Sequence, residues 1–314
     1  MLPKVPGKEF MNSIAMILVH QVLVMFILVA VGCVLFRTGK ITLEGSKTLG
    51  NILIYVALPS VIVNSFLIER TPEKVHALAM SAAASFLCIL ISAVVSGLVF
   101  RKNGVEAFAS TFPNPGFFGV PLILAGLPEG SLFYVASFIA FVNIGQWTIG
   151  VAMMTGEKGA FSLKRLLQAP FFAATAIGLF LFLTGVPVPG LFRTTVSTLA
   201  SVNTAIAMFT IGVYLARVDF GEMLRKKRLY LIAAARLLLI PLLSLAVLCL
   251  FRSADLNMRL AVLIVSACPV GSNVAVYAQL HGRNYEYAVQ TVLISTVLSI
   301  VTIPLIVTVA GAVF

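Results

Sequence analysis

Charge is scarce in this sequence. Only 11% of the 314 residues are Asp, Glu, Lys or Arg, against roughly 25% in a soluble domain. Hydrophobic residues make up 60%, and the mean hydropathy is +1.06. That balance excludes a soluble globular chain and implies an all-α integral membrane protein with the lipid bilayer as its first partner. No Asp or Glu falls inside an apolar run; all eleven, from Glu9 to Glu286, lie in loops or at run edges. Proton relays usually rest on an intramembrane carboxylate, so carboxylate-based proton coupling is not expected. The four cysteines, Cys33, Cys88, Cys249 and Cys268, are spread singly through apolar runs, which leaves no disulfide framework and no metal-spaced cluster. There is no Gly-x-x-x-x-Gly-Lys-Ser/Thr loop, no His-Glu-x-x-His and no Gly-x-Ser-x-Gly elbow. ATP-driven pumping, intramembrane catalysis and a resident cofactor are therefore not expected. The net charge of +11 comes from bases scattered through short loops rather than gathered on one face. That distribution argues against a nucleic-acid partner.

Apolar runs, by contrast, are abundant. Taking charged or turn-rich stretches as boundaries gives ten spans, near 14–36, 49–67, 77–100, 105–127, 131–154, 170–186, 196–216, 230–251, 260–280 and 287–313. The first, at 23 residues, is too long for the apolar core of a signal peptide, about 7 to 15 residues. Loops on the side of the N-terminus hold seven Lys and Arg (Lys4, Lys8, Arg70, Lys74, Arg193, Arg252, Arg259), the other side holds fourteen, and Arg236 is left inside a span. The more basic side is expected to be cytoplasmic, giving a multi-pass protein of the cytoplasmic membrane with both termini outside.

Two of the runs are broken. TFPNPGFFGVPL, residues 111–122, places three prolines and two glycines in mid-span, and ACPVGSNVAVYAQLHG, residues 267–282, does likewise with Pro269 and Gly271. Proline removes a donor and clashes with the preceding turn, so each span should split into two half-helices. Pro113 and Pro269 are 156 residues apart, as are the starts of the first and sixth spans and of the fifth and tenth. This spacing predicts two inverted five-helix repeats, 1–154 and 170–314, joined by a short cytoplasmic linker at 155–169, with broken helices at 105–127 and 260–280. Within the linker, FSLKRLLQ reads as a basic amphipathic helix on the membrane surface.

Irregular backbone at membrane depth is tolerated only where protein buries it or water lines it, so matched breaks predict a polar cavity near the midplane. Half-helix N-termini carry free amides and about half a positive charge each, which suits an anion. The expected binding groups are Asn114, Pro115, Gly116, Gly271, Ser272 and Asn273 on the breaks. Asn143 and Gln146, one helical turn apart in the fifth span, should share the face that lines the cavity. Pro113, Gly119, Pro121 and Pro269 are expected to act as hinge and crossover residues. Arg236 has two readings: its charge snorkels to the nearer interface, roughly 9 Å from the span's end, or it draws an anion into the cavity. Unwound carbonyls with Asn114, Ser272 or Asn273 offer oxygen ligands for sodium as a coupling ion, which the sequence neither requires nor excludes.

Asn114-Pro115-Gly116-Phe117-Phe118-Gly119-Val120-Pro121-Leu122 resembles the signature of the auxin efflux carrier family, which includes plant PIN-FORMED carriers and bacterial malonate or malate permeases. Tyr55 to Pro59, Asn143 with Trp147 to Gly150, Ile211-Gly212, Arg236 with Pro241, and Pro269 with Asn273 are similar to family patterns as well. The resemblance implies ten spans in two inverted fives, crossed broken helices in spans four and nine, and a homodimer. It also implies an elevator motion of spans three to five and eight to ten against a scaffold whose cavity side includes Pro59, Asn64 and Gly212. The expected activity is secondary transport of a small mono- or dicarboxylate. Alternatives are a sodium-coupled symporter of the same fold and a membrane anion sensor that does not transport.

Overall fold

The computed structural model describes residues 8–156 and 167–314, and these are almost entirely helical. Residues 157–166, which include most of the expected amphipathic helix, lie outside the described residues. The chain opens with α1 (Lys8–Arg37), α2 (Leu43–Ile52), a π turn at Leu53–Ala57 and α3 (Leu58–Phe66). The helices α4 (Pro72–Val99), α5 (Gly104–Thr111), α6 (Val120–Gly126), α7 (Phe133–Gly145) and α8 (Val151–Thr155) follow, with π turns at Pro115–Gly119 and Gln146–Gly150. Beyond the linker come α9 (Pro170–Thr184), α10 (Gly190–Ser201), α11 (Asn203–Arg217), α12 (Phe220–Arg225) and α13 (Lys227–Ala234). A π turn at Ala235–Leu239 leads into α14 (Ile240–Leu248), then α15 (Leu256–Ser266), α16 (Asn273–Leu280) and α17 (Tyr285–Gly311).

Among the described residues, seven continuous helical stretches are long and apolar enough to cross a membrane. The fourth, sixth and ninth expected spans appear instead as shorter helices, Pro115–Gly126, Pro170–Thr184 and Leu256–Ser266. For the fourth and ninth the cause is the expected one, since each is cut in two by its proline-containing segment. The sixth is simply short: 15 residues rise about 22 Å, less than the roughly 30 Å of hydrocarbon.

For description the helices are divided into two groups, which also pack on each other where α1 meets α17 and α6. Residues 8–67 and 170–217 make one, organised around α1 and α11. These two helices approach backbone to backbone, because Gly32 lies against the main chain of Phe209 and Gly212 against that of Val29 and Cys33. Residues 72–155 and 227–311 make the other group, the crossover bundle. Among the described residues one hydrogen bond joins the groups, from Asn203 Nδ2 to Gly116 O at 3.0 Å. An Arg217 guanidinium over the Tyr285 ring adds one cation–π contact.

One end of the molecule is strongly basic. There Arg283 donates to Met154 O at 2.7 Å, and the loops carry Arg37, Lys40, Lys47, Arg101, Lys102 and the run Arg225 to Arg228. Met11 packs on Gly311 at the opposite end, which holds Arg70, Lys74, Arg193, Arg252 and Arg259.

Candidate functional site

The two unwound segments meet as a single antiparallel bridge between Pro113 and Val270. Asn114 N donates to Pro269 O and Gly271 N to Phe112 O, both at 2.9 Å. Pro113 suits this place, because the pair uses the amides on either side of it and the missing proline donor costs nothing. Gly271 is required by closeness: a Cβ there would sit 2.7 Å from Pro113 O. Val270 N, which the bridge leaves over, donates to Ser295 Oγ of α17 at 3.1 Å. Pro115 and Pro121 fall in the first turns of helical segments, where a missing donor is tolerated.

A small cavity lies against this crossing. Its walls include Asn114, Pro115, Gly116, Asn143, Gln146, Gly271, Ser272 and Asn273, together with Leu58, Pro113, Phe117, Ile139 and Val142. The eight residues expected to bind from the breaks and the fifth span are thus placed around one space. Space for the centre of a water-sized sphere amounts to about 30 Å³, enough for roughly two waters or one carboxylate group. Asn114 Oδ1 caps its own half-helix by accepting from Phe117 N at 3.2 Å, which leaves its Nδ2 as a donor. Asn143 spends its amide on Ile139 O at 2.8 Å, keeping Oδ1 open. Asn273 Nδ2 donates to Gln146 Oε1 at 2.8 Å, which holds α16 to the π turn after α7 and frees Gln146 Nε2 and Asn273 Oδ1. The backbone amides of Gly116, Ser272 and Asn273 have no partner among the described residues. No charged side chain lines the cavity. Its polarity comes from half-helix N-termini and carboxamides.

A second cavity of about 340 Å³ adjoins the first, sharing Leu58, Phe117, Asn143, Gln146 and Asn273. Tyr55, Trp147, Phe171 and Tyr277 add aromatic walls, with the Trp147 and Tyr277 rings 5.4 Å apart. It leads toward the basic end, where α9 begins. Sequence reasoning did not assign Leu58, Phe117, Trp147 or Tyr277 to the cavity walls; their apolar character looks the same facing a core, lipid or a cavity.

Four expectations need correction. Arg236 neither snorkels nor lines the cavity: it is 1% exposed, and its guanidinium is bound to main-chain oxygens behind the crossing. Nη1 donates to Ser92 Oγ (3.2 Å), Ser110 O (3.1 Å) and Thr111 O (2.8 Å), and Nη2 to Ser266 O. Gly212 is occupied by the packing of α11 on α1, not by the cavity. Pro59 and Asn64 lie along α3 and reach neither cavity, since Leu58 forms that wall and its Cδ1 would stand 2.8 Å from a Cβ on Gly116.

The structure also reveals a buried acid. Glu106, near the start of α5, is 2% exposed; Arg228 grips both its oxygens and Tyr287 Oη donates to Oε1 at 3.0 Å. Its place at a span edge gave no hint of this, because α13 and α17 supply the cover.

A family described as membrane transport protein matches residues 17–307. A protein of Rhizobium meliloti (strain 1021) named "Putative malonate transporter" is 26% identical over 278 residues, 83% of this chain and 85% of that protein. A protein of Methanothermobacter thermautotrophicus named "Uncharacterized transporter" is 26% identical over 299 residues, 91% of this chain and 96% of its own length. With a match that spans nearly the whole chain and the Asn114 to Leu122 motif at the crossing, this protein belongs to the membrane transport protein family, the auxin efflux carrier family.

Proposed function

We propose that this protein is a secondary transporter of a small mono- or dicarboxylate. The carboxylate sits in the cavity at the crossing, and the rest of the substrate extends into the aromatic vestibule. The observation that carries this reading is the convergence of three free backbone amides, two carboxamide donors and two half-helix N-termini on one uncharged cavity. Each N-terminus presents about half a positive charge, and oriented amides in a dry site bind an anion without a counter-charge that would hold it too tightly to release. The name of the Rhizobium relative is consistent with a three-carbon dicarboxylate.

The basic end is assigned to the cytoplasm by the positive-inside rule, so the termini face out and the vestibule opens inward. Ten membrane crossings in two inverted fives fit the two matched breaks. The sparse polar contact between the helix groups fits an elevator motion of the crossover bundle against a dimeric scaffold. An anion leaving a cell that is negative inside gains about 2.3 kcal/mol per charge per 100 mV, which suffices to drive export.

The test is flux of labelled malonate, malate and indole-3-acetate in proteoliposomes under an imposed potential. Saturable, potential-dependent flux of at least one carboxylate is expected. Unitary channel currents, or carboxylate binding with no flux under any gradient, would overturn the reading in favour of a channel or a sensor.

A further inference from the structure

We propose that Arg236 is a tethered cation occupying the place of a coupling ion, so that transport runs without sodium and removal of the guanidinium opens a cation site. This rests on the transporter reading above.

The argument begins with where the charge sits. Arg236 comes from the π turn at Ala235–Leu239, a distortion that recurs at functional positions in helices. Its side chain is enclosed, and the ion pairs found among the described residues, Lys226–Glu222 and Arg228–Glu106, lie elsewhere. No carboxylate among the described residues balances it. What it meets instead are Ser110 O and Thr111 O at the end of α5, Ser266 O at the end of α15, and the Ser92 hydroxyl. Each half-helix C-terminus carries about −0.5 of a charge, so two of them together balance one guanidinium.

Such ends, with unwound carbonyls and a hydroxyl nearby, are the ligand set that sodium takes in transporters with broken helices. In this chain that oxygen cluster is already filled by a covalently attached donor that cannot deprotonate or leave. Ser92 Oγ also donates to Thr111 O at 2.6 Å, so that hydroxyl is oriented on one of the same oxygens, and Ser266 Oγ donates to Ser244 Oγ at 2.7 Å beside them. The arrangement divides the crossing by sign. Both C-termini face a fixed cation on one side, and both N-termini face the anion cavity on the other.

The test uses the full-length protein in proteoliposomes with the potential clamped. Wild-type carboxylate flux is expected to change less than twofold when sodium is replaced by choline. Arg236→Ala is expected to lose at least tenfold of the flux in choline and to regain most of it with millimolar guanidinium or sodium, while Arg236→Lys keeps flux within about tenfold of wild type. A merely structural arginine predicts no cation-specific rescue. Strict sodium dependence of the wild type, wild-type flux by Arg236→Ala in choline, or a folded Arg236→Ala that no cation restores would each overturn the proposal. Thermal unfolding in detergent supplies an arm independent of flux: sodium should leave the wild-type midpoint unchanged, and a sodium-dependent rise there overturns the proposal even if Arg236→Ala does not fold. If the wild type moves no carboxylate yet sodium or guanidinium raises the midpoint of Arg236→Ala alone, the tethered cation stands and the transporter reading falls.

Discussion

The two broken helices use one backbone device with different chemistry. Each begins with a side-chain cap, Asn103 Oδ1 accepting from Val105 N and Asp255 Oδ1 from Asn257 N, and each unwinds around one proline at the bridge. Their second halves diverge. The first is capped by its own Asn114, so one of its orphan amides is already used. The second has no side-chain cap, leaving the Ser272 and Asn273 amides open and α16 held instead by Gln146. Their entrances differ too: a buried acid, Glu106, at the basic end, and at the other end Arg259 stacked on the Phe314 ring at 4.5 Å. A crossing of two broken helices can therefore offer an asymmetric site, with the second half supplying free amides and the first supplying a rigid carboxamide.

That contrast can be broken most severely at its centre. Gly271→Val should cost about 3 kcal/mol, the upper end of overpacking, because the nearest atom, Pro113 O, is main chain and cannot turn aside. Loss of monodisperse protein by size-exclusion chromatography is the expected result. Gly119→Ala should be milder, as its near contacts are the Val265 and Cys268 side chains. If the second half-helix dominates binding, Asn273→Ala should lower carboxylate uptake efficiency by about 10- to 100-fold. Asn114→Ala, losing a cap worth about 1 kcal/mol, should lower it by about fivefold. Reversal of that order in the same uptake assay would place the anion on the first half-helix.

At the entrance, Arg228→Ala should destabilise by about 1–2 kcal/mol, since it leaves the buried carboxylate with the Tyr287 hydroxyl as its remaining side-chain partner. Glu106→Gln should cost less, because the freed guanidinium is more than half exposed and water accepts it. Melting temperatures in detergent decide between them. The smallest effect is expected for Asn203→Ala. It removes one hydrogen bond worth about 1 kcal/mol between the helix groups and should shift the balance of accessible states by less than about tenfold, read by cysteine accessibility from each side.

Much of this was legible in the sequence because proline and glycine act locally. Pro113, Pro269 and Gly271 stand in the unwound segments that the proline and glycine pattern marks, and Asn143 and Gln146 share a face by spacing alone. What was not legible depends on neighbours distant in sequence. Arg236 lies near a span end along the chain, but α13 begins at Lys227, earlier than hydropathy suggests, and its partners come from α4, α5 and α15. Gly212 illustrates an ambiguity in kind: a small residue serves a cavity wall and a tight helix contact equally well, and only the position of α1 decides.

The single hydrogen bond found between the helix groups among the described residues has a mechanical consequence. A boundary rich in directional bonds would resist shear in discrete steps, each requiring donors and acceptors to part in a medium with no water to replace them. A boundary of methyl and aromatic groups exchanges one dispersion contact for another at nearly constant energy. If the proposed transport cycle slides one group along the other, the Asn203 to Gly116 bond is its one polar detent among the described residues, and its speed should follow the fluidity of the surrounding lipid more closely than the strength of any bond within the protein.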